Sequence, residues 1–244
     1  MVTGGWGGEL VLAGVVLVGA SVQRMAGIGF ALVAAPVLVV LLGAGQGVGL
    51  ANCAAGVISA VGLVGGWRQV RLGAMVPMVV AAGCTVPVGV WVAARLSGPA
   101  LLVGMGVLVT AAVLLVMSGA RVPALRGVPG AFAAGAASGF MNSAAGVGGP
   151  AVSLYAVNAG WTAREFVPSA QFYGVLVNAF SIAAKGTPHL STAAWLLVAA
   201  GIAAGAVIGK WLAERVPEGP ARRIVLLLAL AGGVSTLLKG LLGA

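Results

Sequence analysis

Ser143-Ala-Ala-Gly146-Val-Gly148-Gly149-Pro150-Ala-Val152 repeats, 119 positions downstream, the stretch Arg24-Met-Ala-Gly27-Ile-Gly29-Phe30-Ala-Leu-Val33. The glycine pairs Gly27/Gly146 and Gly29/Gly148 carry the agreement, and at the same offset Ala51-Asn52 falls on Ala170-Gln171. At an offset of 120, Trp91-Val-Ala93-Ala-Arg95 falls on Trp211-Leu-Ala213-Glu-Arg215. A long apolar pattern written twice points to a transporter built from two internal repeats. Residues 1–120 are read as a first membrane repeat, 121–127 as a cytoplasmic linker carrying Arg121 and Arg126, and 128–244 as a second membrane repeat.

Composition sets the class. Of 244 residues 61% are hydrophobic and only 7% charged, with a mean hydropathy of +1.13. No water-soluble fold hides that much apolar surface, so the chain is an all-α integral membrane protein. The net charge of +9 does not point to nucleic acid, because the thirteen Lys and Arg are scattered singly or in pairs between apolar runs. They read as topology signals. Cys53 and Cys84 sit inside apolar segments, where a thiol behaves as a small hydrophobe. The N-terminus has no basic region before its first apolar run, so no cleaved signal peptide is expected.

Charges and turn residues divide the first half into apolar segments at 8–22, 26–44, 47–66, 73–94 and 98–118. The second half repeats them at 128–145, 149–160, 166–184, 191–213 and 221–242. Crossing a bilayer takes about 20 apolar residues. The runs at 8–22 and 149–160 are short for that, so the first two segments of each half are candidates for half-helices paired as re-entrant hairpins. The chain therefore has 8 to 10 membrane segments.

Sidedness follows from the basic residues under either count. Arg24, Arg68, Arg71, Arg121, Arg126, Arg164, Lys210, Arg215, Arg222 and Arg223 fall on one side, against Arg95, Lys185 and Lys239 on the other. The first side is cytoplasmic and both termini are extracytoplasmic. Each half crosses an odd number of times, so the two repeats are inverted. Gly201, Gly205 and Gly209 recur every four residues, as do Gly62/Gly66 and Gly135/Gly139. Such faces pack helices closely, within one subunit or between the copies of a homodimer. Pro36, Pro77 and Pro87 interrupt apolar segments and predict kinks.

Gly146-Val-Gly148-Gly149-Pro150 bares the backbone and then supplies a proline suited to a first helical position. It reads as a helix start at membrane depth, whose free N–H groups and positive dipole end can hold an anion without a charged side chain. Gly27-Ile-Gly29 is the looser counterpart. Polar residues inside apolar stretches are the other signal: Ser21, Gln23, Asn52, Asn142, Ser143, Tyr155, Gln171, Tyr173 and Asn178. From these the candidate substrate-binding set is Gly27, Gly29, Asn52, Asn142, Ser143, Gly146, Gly148, Gly149 and Gln171, with Asn52 and Gln171 included because they are repeat equivalents. Arg24 reads as a cytoplasmic anchor, since central burial would cost roughly 3 kcal/mol or more.

The absences constrain the chemistry. The chain has no Asp, and its four Glu (Glu9, Glu165, Glu214 and Glu218) lie at segment ends or in loops. Neutral dipoles and positive helix ends suit an anion, whereas a proton relay or cation site built on carboxylates has nothing to use. His189 stands alone beside Pro188 in a loop. No metal cluster or cofactor motif is read, and the glycine motif lacks the lysine of a phosphate-binding loop. A membrane enzyme would need acids, histidines or metals at the surface, so none is expected. An anion channel and a non-transporting assembly partner remain the rival readings.

At these motifs the chain resembles the sulfite exporter TauE/SafE family of bacterial membrane proteins. The carrying residues are Gly27-Ile-Gly29-Phe30-Ala31-Leu32-Val33 with Pro36-Val-Leu38, and Gly139-Phe-Met-Asn142-Ser-Ala-Ala-Gly146-Val-Gly148-Gly149-Pro150 with Leu154-Tyr155. Where many relatives carry three glycines, the first motif has Gly29-Phe30-Ala31. The resemblance implies a secondary transporter of a small sulfur-containing anion, such as sulfite or an organosulfonate, in the bacterial plasma membrane. Its partners would be that anion and the lipid bilayer.

Overall fold

The computed structural model describes residues 6–119, 125–216 and 218–242. Positions 121–124 of the expected linker, with Arg121, lie outside them, as do both chain ends and the side chain of Arg222. Among the described residues the chain forms ten α-helices and no strand. They are α1 (Trp6–Ala26), α2 (Phe30–Leu42), α3 (Ala44–Leu63), α4 (Leu72–Arg95) and α5 (Gly98–Met117), then α6 (Gly127–Ala145), α7 (Gly149–Asn158), α8 (Ala163–Lys185), α9 (Thr192–Ala213) and α10 (Glu218–Leu242). Six of them (α1, α3, α4, α5, α8 and α9) are long and apolar enough to cross a bilayer.

The largest departure from the sequence reading lies at the first break. The first segment is not short: α1 runs 21 residues, straight through Arg24. A lone arginine is favourable in the last turn, beside the negative end of the helix dipole. The helix ends instead where glycine is required, at Gly27 (φ 80°) and Gly29 (φ 127°). The short element of the first half is therefore α2, with 13 residues, and its partner in the second half is α7, with 10. The prolines Pro77 and Pro87 lie inside α4, which continues unbroken from Leu72 to Arg95.

Hydrogen bonds group the helix ends into two faces. On the first face Ser191 donates to Glu9 (2.8 Å), the His189 N–H donates to Gln46 (2.7 Å) and Lys239 donates to the Val40 carbonyl (3.4 Å). These contacts gather the starts of α1, α3 and α9 and the ends of α2 and α10. On the second face Arg71 pairs with Glu165 (2.9 Å), and Tyr155 donates to the Gly127 carbonyl (3.3 Å). These gather the starts of α4, α6 and α8 with the returning end of α7. The hairpin α1–α2 thus enters from the first face and α6–α7 from the second, and their tips approach each other in the interior.

Packing relates the halves in the same way. α1 packs on α9 and α4 on α6; α2 lies on α10 and α7 on α5; α3 pairs with α8 and α5 with α10. Exchanging α1–α5 for α6–α10 maps these pairs onto themselves. Glycines set the close contacts. A Cβ at Gly205 would lie 2.6 Å from the Leu17 carbonyl oxygen, and one at Gly139 would lie 2.6 Å from the Ala82 Cα. Gly201, Gly205 and Gly209 therefore spend their smooth face on α1, within the chain.

The outer surface is apolar, with Leu10, Val76, Val80, Leu196 and Val207 all exposed. Near the helix ends arginines stack on tryptophans. Arg95 lies 4.4 Å from the centre of the Trp91 ring, and Arg215 lies 4.2 Å from that of Trp211. The first pair ends α4 on the first face, and the second ends α9 on the second. Trp and Arg together suit a water–lipid boundary.

Candidate functional site

The helix breaks exist because of their glycines. Gly146 caps α6 in the left-handed conformation (φ 75°), where any other residue is strained. Gly148 then starts α7 with Pro150 in its first turn, whose missing N–H was free there in any case. Gly29 is the N-cap of α2, at φ 127° and with no proline in the turn that follows. The first N–H groups of a helix have no partner inside it, so both tips present unpaired donors and a positive dipole end.

The tips converge on one central cavity of about 60 Å³. Gly27, Ile28 and Gly29 line it from one hairpin and Val147, Gly148 and Gly149 from the other. The neutral polar side chains of Gln23, Ser59, Asn142, Tyr173 and Asn178 complete the wall, and no lining residue carries a charge. That volume admits a few waters or one anion of a few heavy atoms, and is far too small for a nucleotide. Glu9 and Glu165 are held at the two faces, Glu165 in a capping box with Thr162. Among the described residues no three metal-ligating side chains come together.

Five of the nine candidate residues meet in this wall: Gly27, Gly29, Asn142, Gly148 and Gly149. The other four stand behind it. Gln171 donates to the Gly27 carbonyl (2.8 Å) and accepts from Gln23 (3.2 Å), so it holds the first tip. Ser143 donates back to the Gly139 carbonyl (2.9 Å) inside α6. Gly146 rests against Ala35, Val48 and Ala51, and Asn52 is buried in α3 with neither side-chain polar atom partnered. The sequence reading left Gln23, Tyr173 and Asn178 out of the set although it marked them as polar, and it passed over Ser59 and Ser138. Ser138 donates to the Gly148 carbonyl (2.8 Å) and so fixes the second tip. One signal could have found part of this wall: Gln23/Asn142 and Ser59/Asn178 are each 119 positions apart.

Two polar clusters support the tips. In one, Gln23 donates to Ser59 (2.8 Å) and to Gln171 (3.2 Å). In the other, Asn142 donates to Asn178 (3.1 Å) and to Ser181 (3.0 Å). Buried amides satisfied this way hold one geometry, because losing a partner leaves a group that costs about 1–3 kcal/mol. Gln171→Leu, which strips the partner from Gly27 and from Gln23, is expected to lower stability by about 2 kcal/mol. A thermal midpoint in detergent measures it.

A second cavity of about 410 Å³ lies toward the second face, lined by Met25, Val116, Trp161, Phe166, Val167 and Val216 among others. Ile28 and Leu32 line both cavities and so form the partition between them. Toward the first face the counterpart region is closed. There Val39, Val48, Met105 and Ala145 make a buried cluster, and Val147, 119 positions from Ile28, is 1% exposed. α2 also lies hard on α3, since a Cβ at Gly47 would sit 2.6 Å from the Leu38 backbone.

The family model described as "Sulfite exporter TauE/SafE" matches residues 11–236. No curated protein and no solved structure matches the chain.

Proposed function

Because the chain belongs to the TauE/SafE sulfite exporter family, a family of membrane transporters and not enzymes, we propose that it carries a small sulfur-containing anion such as sulfite or an organosulfonate by alternating access. The observation that carries this reading is the pair of helix N-termini at Gly29 and Gly148 facing one carboxylate-free cavity. Both ends bring partial positive charge and free N–H donors to the same small volume, which favours an anion. The Asn178 amide, which spends one N–H on the Gly174 carbonyl, adds a further donor.

The two halves are inverted repeats, 1–120 and 128–244, in the bacterial plasma membrane. What supports this is the entry of the two hairpins from opposite faces and a helix pairing that survives exchange of the halves. The second face, bearing Arg68, Arg71, Arg126, Arg164 and Arg215, is cytoplasmic, which leaves both termini outside. Ten helices, two of them re-entrant half-helices, then make up the bundle. The cavity toward the second face and the sealed cluster on the first support the reading of a carrier resting open to the cytoplasm, with Ile28 as its inner gate. Rocking the repeats would exchange the roles of Ile28 and Val147.

Two experiments test this. Purified protein should gain thermal stability with sulfite, thiosulfate or sulfoacetate, and not with acetate; no response to any sulfur anion would overturn the substrate class. In a background with Cys53 and Cys84 replaced, Ile28→Cys should react with a membrane-impermeant maleimide from the cytoplasmic side only. The same reagent should not reach Val147→Cys in the absence of substrate. Equal labelling of both cysteines would sink the alternating-access reading in favour of an open channel.

A further inference from the structure

The two polar clusters match position for position, and the match fails at one residue. Gln23, Gly27, Ser59 and Gln171 have their counterparts, 119 positions away, in Asn142, Gly146, Asn178 and Asn52. The surroundings agree as well. A Cβ at Gly27 would meet Val167 at 2.8 Å, and four residues further on Gln171 reaches the Gly27 carbonyl. A Cβ at Gly146 would meet Val48 at 3.5 Å, and four residues further on stands Asn52. Asn52 is one methylene shorter than Gln171. It is 1% exposed, and neither its Oδ1 nor its Nδ2 has a partner among the described residues.

From this broken correspondence we propose that Asn52, Ser181 and the carbonyls at the C-terminal end of α6 bind an alkali-metal cation such as Na⁺ beside the anion cavity. Ser181 is the counterpart of Gly62, against which the Gln171 amide packs (2.8 Å from a would-be Cβ to Cδ). By that correspondence its hydroxyl, which donates to the Val177 carbonyl (2.9 Å) and accepts from Asn142 (3.0 Å), falls on the side of Asn52 where the first half has only glycine. The last carbonyls of a helix have no partner within it and form the negative end of its dipole. Gly146, at that end, lies against α3 one residue from Asn52. An amide oxygen, a hydroxyl and main-chain carbonyls are hard, neutral ligands. Without a carboxylate they suit a monovalent ion, whereas divalent ions are held by carboxylates. A cation there would also join α3 to the tip that presents Gly148, so filling the one site would order the other. That coupling rests on the anion reading above; the binding of the cation does not.

The test uses the full-length protein in detergent with gluconate as the only other anion, since gluconate is too large for the central cavity. Sodium gluconate, titrated against N-methyl-D-glucamine gluconate at constant ionic strength, should raise the thermal midpoint saturably by several degrees. In Asn52→Gln the longer side chain should reach the Gly146 carbonyl as Gln171 reaches Gly27. This variant should match or exceed the wild-type midpoint without sodium and lose the sodium response. Ser181→Ala, which keeps Asn52, should weaken the apparent sodium affinity at least tenfold, so the proposal stays exposed if Asn52→Gln does not fold. No alkali-cation response in the wild type would mean that the site holds water only, and a response retained in Asn52→Gln would place the ion elsewhere. Either result overturns the proposal. An absent sulfite response with an intact sodium response would count against the anion reading alone.

Discussion

Gly149→Leu is expected to abolish anion binding and flux, by a factor of a hundred or more, equivalent to about 2.7 kcal/mol, while leaving the fold intact. Gly149 lines the central cavity, and the nearest atom to a Cβ built on it is the Ile28 Cβ, at 4.0 Å. It occupies the first turn of α7 in ordinary helical conformation, so the substitution brings no backbone strain. The leucine would fill the space an anion needs and shield the N–H groups of both helix starts. Its neighbour makes a poorer probe. A Cβ at Gly148 would press to 2.6 Å from the Ser138 hydroxyl and 2.8 Å from its carbonyl, so a bulky residue there displaces the tip itself. Binding titrations and vesicle flux on Gly149→Leu, with a thermal midpoint within a few degrees of wild type, make the check. Retained binding would remove the cavity from the mechanism.

Gly135→Val is the substitution expected to damage the fold most. Gly135 of α6 lies so close to α4 that an added Cβ would run into the Met78 backbone, with its Cα at 2.7 Å. Backbone cannot yield as a flexible side chain can, and the two helices would have to separate along their whole contact. Overpacking of this kind costs about 3 kcal/mol, and lipid offers no hydrophobic drive to push the helices back together. Gly104→Ala supplies the contrast. Nothing lies within 4 Å of its Cβ, and removing a mid-helix glycine should stabilise α5 by about 0.5–1 kcal/mol. The yield of monodisperse protein and its thermal midpoint should fall for the first variant and hold or rise for the second.

The sequence made the ten helices legible because each is an apolar run closed by charges or turn residues. It misplaced the first break because it treated Arg24 as a boundary. A single arginine in a last helical turn is no obstacle, whereas Gly27 and Gly29, both at positive φ, are the real stop. The glycine tips were legible as helix breaks for the same reason: backbone exposure and a helix start are written in residue type. Gln171 and Asn52 were marked by equivalence alone, and equivalence of position does not fix depth in a wall. Gln171 reaches the first tip from behind, and Asn52, one methylene shorter, makes no such bond among the described residues. Ser59 and Ser138 carry no signal of their own, since serine is common in membrane helices. They become visible only once α3 and α6 are placed beside the tips.

The stacked Trp91–Arg95 and Trp211–Arg215 pairs have a mechanical consequence. Each pair moors one long helix to one edge of the bilayer, α4 at one edge and α9 at the other. Since α4 grips α6 and α9 grips α1, the long arm of each hairpin is tied to a moored neighbour. A change in hydrocarbon thickness would draw these two anchors apart or together and shear the hairpin tips past one another. The thickness of the surrounding lipid would then act as a throttle on turnover, with the fastest exchange in bilayers whose acyl chains match the span between the two tryptophans.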